Sequence, residues 1–150
     1  MATITHISLV TVYVTDQDEA KRWYIDKLGF VEATDVTMGE GFRWVTVTQP
    51  DHPELEVTLM LPGPPLDADM AEAIRRSLAN GTNSALGLST DDCQKAYEEL
   101  SAKGVEFIQP PSQRPYGTEA VFRDNSGNWL VLVERAEYDP NSGSTDFGTA

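Results

Sequence analysis

Residues 12–30 read VYVTDQDEAKRWYIDKLGF, and this stretch decides the fold. An apolar, β-branched run ends at Val14, and Asp16 follows it. Asp16 with Glu19 is typical of a capping box at a helix N-terminus, and Gly29 is typical of a helix C-terminus. The apolar residues between them recur at helical spacing. The stretch therefore predicts a strand, then a helix, then a turn into a second strand.

The same plan occurs again in the second half of the chain. Residues 88–105 read LSTDDCQKAYEELSAKGV. Asp91 with Gln94 predicts a second capping box, and Gly104 predicts the end of a second helix. Further apolar strands, separated by turn residues, follow each helix. Each half therefore predicts one β-α-β-β-β module, and the whole chain predicts an α+β fold.

The strand pattern sets the expected boundaries. We expect strands at residues 7–14, 30–37, 42–48 and 55–61, and again at 85–89, 105–108, 116–123 and 129–134. One domain over residues 1–136 would then contain module one (5–62), a linker helix (63–82) and module two (83–136). Residues 137–150 are polar and rich in Gly and Ser, so we expect a flexible C-terminal tail.

Composition excludes several classes of partner. The chain has 150 residues, of which 40% are hydrophobic, and its formal charge is 11 − 24 = −13. Nucleic acid and anionic membranes both require a positive face, so neither is an expected partner. No apolar run approaches the roughly 20 residues that cross a bilayer, and the N-terminus lacks the features of a secretory signal. We expect a cytoplasmic protein.

The only cysteine limits the chemistry further. Cys93 lies on the apolar side of the second helical pattern, where a small core residue is expected. A single cysteine cannot form an intramolecular disulfide or a cysteine-rich zinc site.

Several short motifs occur in order along the chain. They are Val12-x-Val14-x-Asp16, Trp23-Tyr24 before Leu28-Gly29-Phe30, Tyr116-Gly117, and FRDNSGN at residues 122–128. Their order, spacing and duplication resemble the vicinal oxygen chelate superfamily, which includes glyoxalase I, extradiol dioxygenases, fosfomycin-resistance enzymes and bleomycin-resistance proteins. The resemblance implies two βαβββ modules that form a cupped, eight-stranded mixed sheet around one cavity, with helices on the outer face. It also implies a homodimer.

Metal-using members of that superfamily place four ligands on four strands, usually His or Gln, Glu, His and Glu. The resemblance puts the matching positions of this chain at Leu9, Thr58, Ala85 and Val131. None of these side chains binds a divalent ion strongly. On a regular strand His6 would face away from Leu9, and His52 lies in an expected loop. We therefore expect neither a metal nor another cofactor.

Strand alternation predicts which side chains face the cavity that the resemblance implies. Together with nearby aromatic residues, the expected ligand-binding residues are Leu9, Thr11, Trp44, Thr58, Met60, Ala85, Gly87, Phe122, Trp129 and Val131. Mostly apolar surface with a few polar groups is how small-molecule pockets are generally lined. The alternative is that these side chains simply fill a core.

Two polar residues are candidates for catalysis. Glu56 shares the face of Thr58, and a carboxyl buried there would have a raised pKa and could act as a base. Tyr116 lies where a loop enters a strand and could donate a hydrogen bond or act as a weak acid. Arg43 is expected to pair with Glu40 rather than with an anionic ligand.

The leading hypothesis is a protein that binds a small, partly apolar molecule, cationic or aromatic, without a metal, as bleomycin-resistance proteins do. One alternative is a metal-independent isomerase, cyclase or lyase that uses Glu56 or Tyr116. Another is a metal-dependent lyase or dioxygenase. A structural or regulatory role toward another protein is a further alternative, although no motif indicates it. With two scattered histidines, a Ser-His-Asp triad is not expected.

Overall fold

Strands and helices follow one another in the order that the repeat predicts. The structure is a computed structural model that describes residues 2–141 and 143. Its elements are β1 (Leu9–Tyr13), α1 (Gln17–Leu28), β2 (Val31–Met38), β3 (Phe42–Gln49), β4 (His52–Met60), α2 (Ala68–Asn80), β5 (Ser84–Ser89), α3 (Cys93–Ala102), β6 (Phe107–Arg114), β7 (Gly117–Arg123) and β8 (Trp129–Arg135). Apart from the linker helix α2, each half is a βαβββ module.

The strands form two four-stranded sheets, one in each module. The strand orders are β1-β4-β3-β2 and β5-β8-β7-β6. In each sheet the first strand of the module runs parallel to the last, and the other neighbours are antiparallel. The predicted α+β fold with two mixed-sheet modules is therefore confirmed. The chain divides into two compact units between Arg75 and Arg76, within α2.

Both ends of α1 are formed as the sequence predicts. The Asp16 carboxylate accepts a 2.9 Å hydrogen bond from the backbone N–H of Glu19. Gly29 adopts the left-handed conformation with φ 75°, and its N–H donates to the carbonyl of Ile25 at 3.1 Å. These bonds satisfy backbone groups that a helix end leaves without partners.

The cap of α3 lies one residue later than predicted. Asp92, not Asp91, is the capping residue, and its carboxylate accepts a 3.0 Å hydrogen bond from the N–H of Lys95. The extended backbone of Asp92, with φ −149° and ψ 99°, directs its side chain toward the first turn. The predicted pairing of Asp91 with Gln94 was therefore wrong.

In each module one helix packs on one face of its sheet. The core of the first unit contains Val12, Val14, Ala20, Tyr24, Val45, Val47, Val57 and Leu59, each at most 5% exposed. Tyr24 of α1 is completely buried and meets Phe30 edge to face, with ring centroids 5.9 Å apart. Burying one such side chain stabilises the fold by roughly 1.5–3 kcal/mol.

The second unit has a separate aromatic core. Phe107 lies between Tyr97 of α3 and Phe122 of β7, with centroid distances of 4.7 and 5.4 Å. The side chains of Phe122, Leu130 and Cys93 are completely buried. Burial, followed by the nearby Glu134 carboxylate, raises the pKa of the Cys93 thiol. Cys93 is thus the small core residue that its position predicts.

β6 is longer than the sequence indicates. We expected a strand to end at Ile108 and a proline-rich loop to follow, but the strand continues through Pro110 and Pro111 to Arg114. β6 is at the edge of its sheet, where it pairs with β7, and the pairing shifts register between Gln109 and Ser112. Proline is tolerated at such edges and irregularities because no ladder hydrogen bond is lost there.

The chain is also more ordered than predicted at the β3–β4 turn. The expected loop at residues 49–53 is a short turn at Pro50 and Asp51, because Gln49 pairs with His52. At the C-terminus, Ala136 donates to the carbonyl of Tyr116 at 3.0 Å, and Asp139 donates to that of Pro115 at 2.7 Å. Within the described part of the predicted tail, Asp139 is therefore bonded to the β6–β7 connection. Residues 142 and 144–150 lie outside the described residues.

No helix within residues 2–141 combines the length and the apolar character needed to cross a membrane.

Candidate functional site

The first sheet has one face that α1 covers and one that it does not. Gln17 of α1 donates to the carbonyls of Arg43 and Leu59, at 3.1 and 2.9 Å, and the Arg43 side chain reaches Asp18 of α1. Val45 and Val47 lie two and four residues after Arg43 on β3, so their side chains point to the same covered side. The residues between them point the other way. We call the opposite side the threonine face; it contains Leu9, Thr11, Trp44, Thr46, Thr48, Glu56, Thr58 and Met60.

Strand register brings the residues of the threonine face together. Across β1 and β4, Leu9 pairs with Glu56 and Thr11 pairs with Thr58. Across β3 and β4, Thr46 pairs with Thr58. Side chains directly opposite each other on neighbouring strands lie within contact distance. The structure thus brings the first-module candidates Leu9, Thr11, Trp44, Glu56, Thr58 and Met60 to one face.

Among the described residues, hydrogen bonding on this face leaves one buried hydroxyl unpaired. Thr46 Oγ1 donates to Glu56 Oε1 at 2.7 Å, and Thr48 Oγ1 lies 2.7 Å from the carbonyl oxygen of Leu55. Thr58 is completely buried, yet its Oγ1 has no hydrogen-bond partner among the described residues. A buried hydroxyl without a partner costs about 1–3 kcal/mol. Thr58 is therefore the unsatisfied polar group at the centre of the threonine face.

Apolar side chains continue the threonine face toward the β2–β3 turn. Val36 pairs with Trp44, and Met38 pairs with Phe42. The Phe42 and Trp44 rings are 6.2 Å apart. Val36, Met38 and Phe42 are 46%, 48% and 41% exposed. We call these three residues the hairpin patch.

In the second sheet, three of the predicted ligand-binding residues have a defined register. Gly87 pairs with Val131, and Trp129 pairs with Ser84. Gly87, Trp129 and Val131 follow the alternation that places them on one side of β5 and β8. The Trp129 indole N–H donates to the carbonyl of Thr82 at 3.3 Å. Ala85 lies where the pairing shifts, between Ser84 and Gly87, so no partner in β8 defines its side.

Phe122 does not share that face, and its predicted contact with a ligand is corrected. It pairs with Leu130, is completely buried, and packs against Phe107 in the core. Neighbouring residues of a strand point to opposite sides, so Val121, the partner of Val131, faces the other way. The motif that contains Phe122 identified its strand but not the side of that strand.

Tyr116 belongs to a buried polar cluster that the sequence did not reveal. Its hydroxyl donates to Glu119 Oε1 at 2.9 Å, while Arg114 Nε donates to Glu119 Oε2 at 3.1 Å. Arg114 also donates from Nη2 to Gln109 at 2.9 Å. The Arg114 and Glu119 side chains are only 4% and 13% exposed. Arg114 and Gln109 were missed because they lay in the expected proline-rich loop.

The cluster changes the acidity of Tyr116. Burial, followed by the hydrogen bond to Glu119, raises the pKa of the phenol above its ordinary value of 10. Tyr116 therefore keeps its proton at neutral pH and uses it in the bond to Glu119. It is suited to hydrogen bonding rather than to acting as a base.

Arg43 pairs with different residues from the one predicted. It binds both carboxylate oxygens of Asp35, at 2.9 and 2.8 Å, and Asp18 at 2.7 Å, instead of Glu40. Lys21 of α1 also binds Asp35, at 2.7 Å. These bonds fasten α1 to β2 and β3, so Arg43 has a structural role.

The donor groups do not fit a metal ion. Leu9, Ala85 and Val131 have no side-chain donor atom, and Thr58 offers only a neutral hydroxyl. His6 is exposed, and His52 is exposed beside Glu54. Among residues 2–141 and 143, no group of three or more His, Cys, Asp or Glu is placed to hold an ion.

Comparisons with known proteins agree with this architecture. The family model described as the glyoxalase/bleomycin resistance protein/dioxygenase superfamily matches residues 3–132. The chain is 33% identical to the uncharacterized protein YurT of Bacillus subtilis, over 86% of this chain and 98% of YurT.

Two solved structures are similar over nearly their whole length. UcmS2 has 43% identity and a TM-score of 0.80, with 88% of this chain and 99% of that chain covered. TnmS3, described as an antibiotic binding protein from Streptomyces sp. CB03234, has 27% identity and a TM-score of 0.71, with 91% and 100% covered. Fold, repeat and family model lead to one conclusion: the chain belongs to the glyoxalase/bleomycin resistance protein/dioxygenase superfamily.

Proposed function

We propose that this protein binds a small, partly apolar molecule, cationic or aromatic, on the faces of its sheets that the helices leave uncovered. The observation that carries the proposal is the threonine face, where strand register groups Leu9, Trp44 and Met60 with Glu56 and four threonines. Small-molecule sites combine apolar and aromatic side chains with convergent polar groups that orient the ligand. The similarity to TnmS3, an antibiotic binding protein, supports the same function.

We propose that binding requires no metal. The support is the donor set, because the resemblance to metal-using members puts their ligand positions at residues that include Leu9, Ala85 and Val131, which have no donor atoms. Recognition would then rest on shape, aromatic surface and hydrogen bonds. Protein dialysed against a strong chelator should bind its ligand as tightly as untreated protein. A loss of binding that added Fe, Mn, Ni or Zn restores would overturn this part of the proposal.

The direct test is a thermal-shift screen with aromatic and cationic antibiotics. A ligand present at about 100 times its Kd should stabilise the folded protein by roughly 2.7 kcal/mol. Trp44→Ala should weaken binding of each compound found, whereas Tyr138→Ala, at a residue 68% exposed, serves as the matched aromatic control. No shift with any compound would contradict the proposed function.

A metal-independent isomerase, cyclase or lyase is the second candidate. It is favoured by Glu56, whose carboxylate lies on the threonine face with one oxygen bound to the Thr46 hydroxyl. Mass spectrometry of each bound compound after prolonged incubation distinguishes the two functions. Turnover that Glu56→Gln abolishes while binding persists would favour the enzyme. Recovery of unchanged compound would favour the binding protein.

We further propose that the protein acts in the cytoplasm as a homodimer. The support for a dimer is the hairpin patch, in which Val36, Met38 and Phe42 are each more than two-fifths exposed. Contiguous exposed apolar surface usually marks an interaction site.

A further inference from the structure

We propose that Glu56 and Thr58 form a subsite for a positively charged amino group of the ligand. This inference rests on the proposed function and names the chemical class that the threonine face selects. It starts from two polar groups whose bonding is incomplete: a carboxylate with one oxygen bound to Thr46, and the unpartnered Thr58 hydroxyl.

Glu56 is a carboxylate without a counter-ion. Its side chain is half-buried, and none of the Lys, Arg or His residues that the structure describes forms an ion pair with it. The Thr46 hydroxyl, at 2.7 Å from Oε1, occupies one carboxylate oxygen and orients the group. Oε2 keeps its capacity to accept. A partly buried carboxylate is most stable with a charged donor, because charge-assisted hydrogen bonds are about twice as strong as neutral ones.

Thr58 supplies the second contact. It faces the same side of the sheet as Glu56, two residues away on β4, and it pairs with Thr46 and Thr11 on the neighbouring strands. Thr58 is completely buried, whereas Thr11, its partner on β1, is exposed, so a ligand that binds the Thr58 hydroxyl must first displace the groups that cover it.

An ammonium group satisfies both residues at once. It has three donors, so it can bind Glu56 Oε2 and the Thr58 oxygen together. A neutral hydroxyl has a single donor and no charge to offset that of the carboxylate. Discrimination between the two should therefore depend on Glu56, while Thr58 should strengthen binding of either.

Matched probes test this inference. Biphenylmethylamine and anthracenylmethylamine are compared at neutral pH with the corresponding neutral alcohols, by calorimetry on the full chain. We expect each amine to bind at least about tenfold more tightly than its alcohol, the equivalent of one charge-assisted hydrogen bond. Glu56→Gln should reduce this preference to about twofold or less, whereas Glu54→Gln, the same change on the same strand at an exposed residue, should preserve it.

Thr58→Val separates recognition from folding. Valine has the same shape without the unpaired hydroxyl, so the variant should melt at a higher temperature than the natural chain while binding each amine about fivefold or more weakly. Thr37→Val is the matched control, because Thr37 is exposed and lies on the opposite side of the sheet from the threonine face.

The measurements distinguish a failure of the amino subsite from a failure of the proposed function. Equal affinity for amine and alcohol, or an amine preference that survives Glu56→Gln, overturns the amino subsite and leaves small-molecule binding intact. Unchanged amine affinity in Thr58→Val removes Thr58 from the subsite. Binding of neither class of probe at millimolar concentration contradicts the proposed function as well.

Discussion

Arg43 of β3 holds Asp35 of β2 through two parallel hydrogen bonds, from Nε at 2.9 Å and from Nη2 at 2.8 Å. The hydrogen bond from Arg43, followed by that from Lys21, holds the pKa of the Asp35 carboxyl well below its usual range. Both side chains are less than one-third exposed. The pair therefore stabilises the folded state more than an ion pair at the surface would.

Asp35→Asn should destabilise the protein by about 1–2 kcal/mol at neutral pH, because it removes the charge that two cations share. A carboxyl with a lowered folded-state pKa stabilises the fold above its unfolded pKa of about 4, and that stability is lost as pH falls through the folded-state pKa. The difference between the variant and the natural chain should therefore shrink below about pH 4. Urea unfolding across this range measures it.

The control for this pair is Asp26→Asn, an exposed residue near the end of α1. Its effect should stay within about 0.5 kcal/mol. An equal effect of both substitutions would show that the Arg43–Asp35 pair contributes nothing specific.

Tyr116→Phe should remove one phenol whose pKa is higher than that of an ordinary tyrosine. Burial and the Glu119 hydrogen bond raise the pKa of Tyr116, so the stability that this interaction adds is complete below about pH 10 and is lost as pH rises through the higher folded-state pKa. Subtracting the ultraviolet absorbance titration of the variant from that of the natural chain isolates this group. A difference curve with its midpoint at or below about pH 10 would contradict the buried hydrogen bond.

Gly117→Ala should destabilise the second unit by about 3 kcal/mol or more. The glycine has φ +142°, and a Cβ built on it would lie 2.1 Å from the backbone carbonyl oxygen of Glu134, which no side-chain movement relieves. Gly63→Ala is the matched control, because nothing lies within 4 Å of its added Cβ. Thermal unfolding of both variants checks the prediction, and similar melting temperatures would refute it.

Phe42→Lys should convert the proposed dimer to a monomer. A lysine there would place a charge within the hairpin patch, where desolvation in an interface is costly. Analytical ultracentrifugation should show a dimer for the natural chain and for Met70→Lys, an equally drastic change at a residue that is 52% exposed on α2. A natural chain that sediments as a monomer, or a dimer that survives Phe42→Lys, would remove the hairpin patch as an interface.

The sequence predicted the features that depend on local chemistry or on simple alternation. Asp16 and Gly29 identified the two ends of α1, and counting by twos from Glu56 to Thr58 put both residues on one face. These predictions succeed because caps need particular side chains and because strand side chains alternate regularly.

Other features depend on neighbours that are distant in sequence. The partners of Arg43 are set by the register of β2 against β3 and by the position of α1, so the nearby Glu40 was a misleading choice. The buried side of Phe122 is set by which face α3 covers. Arg114 became part of a polar cluster because β6 continues past its prolines, which no local pattern indicates.

Pro110 and Pro111 have a consequence for how copies of this chain behave when crowded. A strand at the border of a sheet normally offers a row of N–H groups that another chain can extend. The two prolines of β6 carry no N–H and interrupt that row at its middle. The prolines therefore hinder the addition of a strand from another chain at this edge of the second module. They also hinder the cross-β fibrils that such strand addition would start.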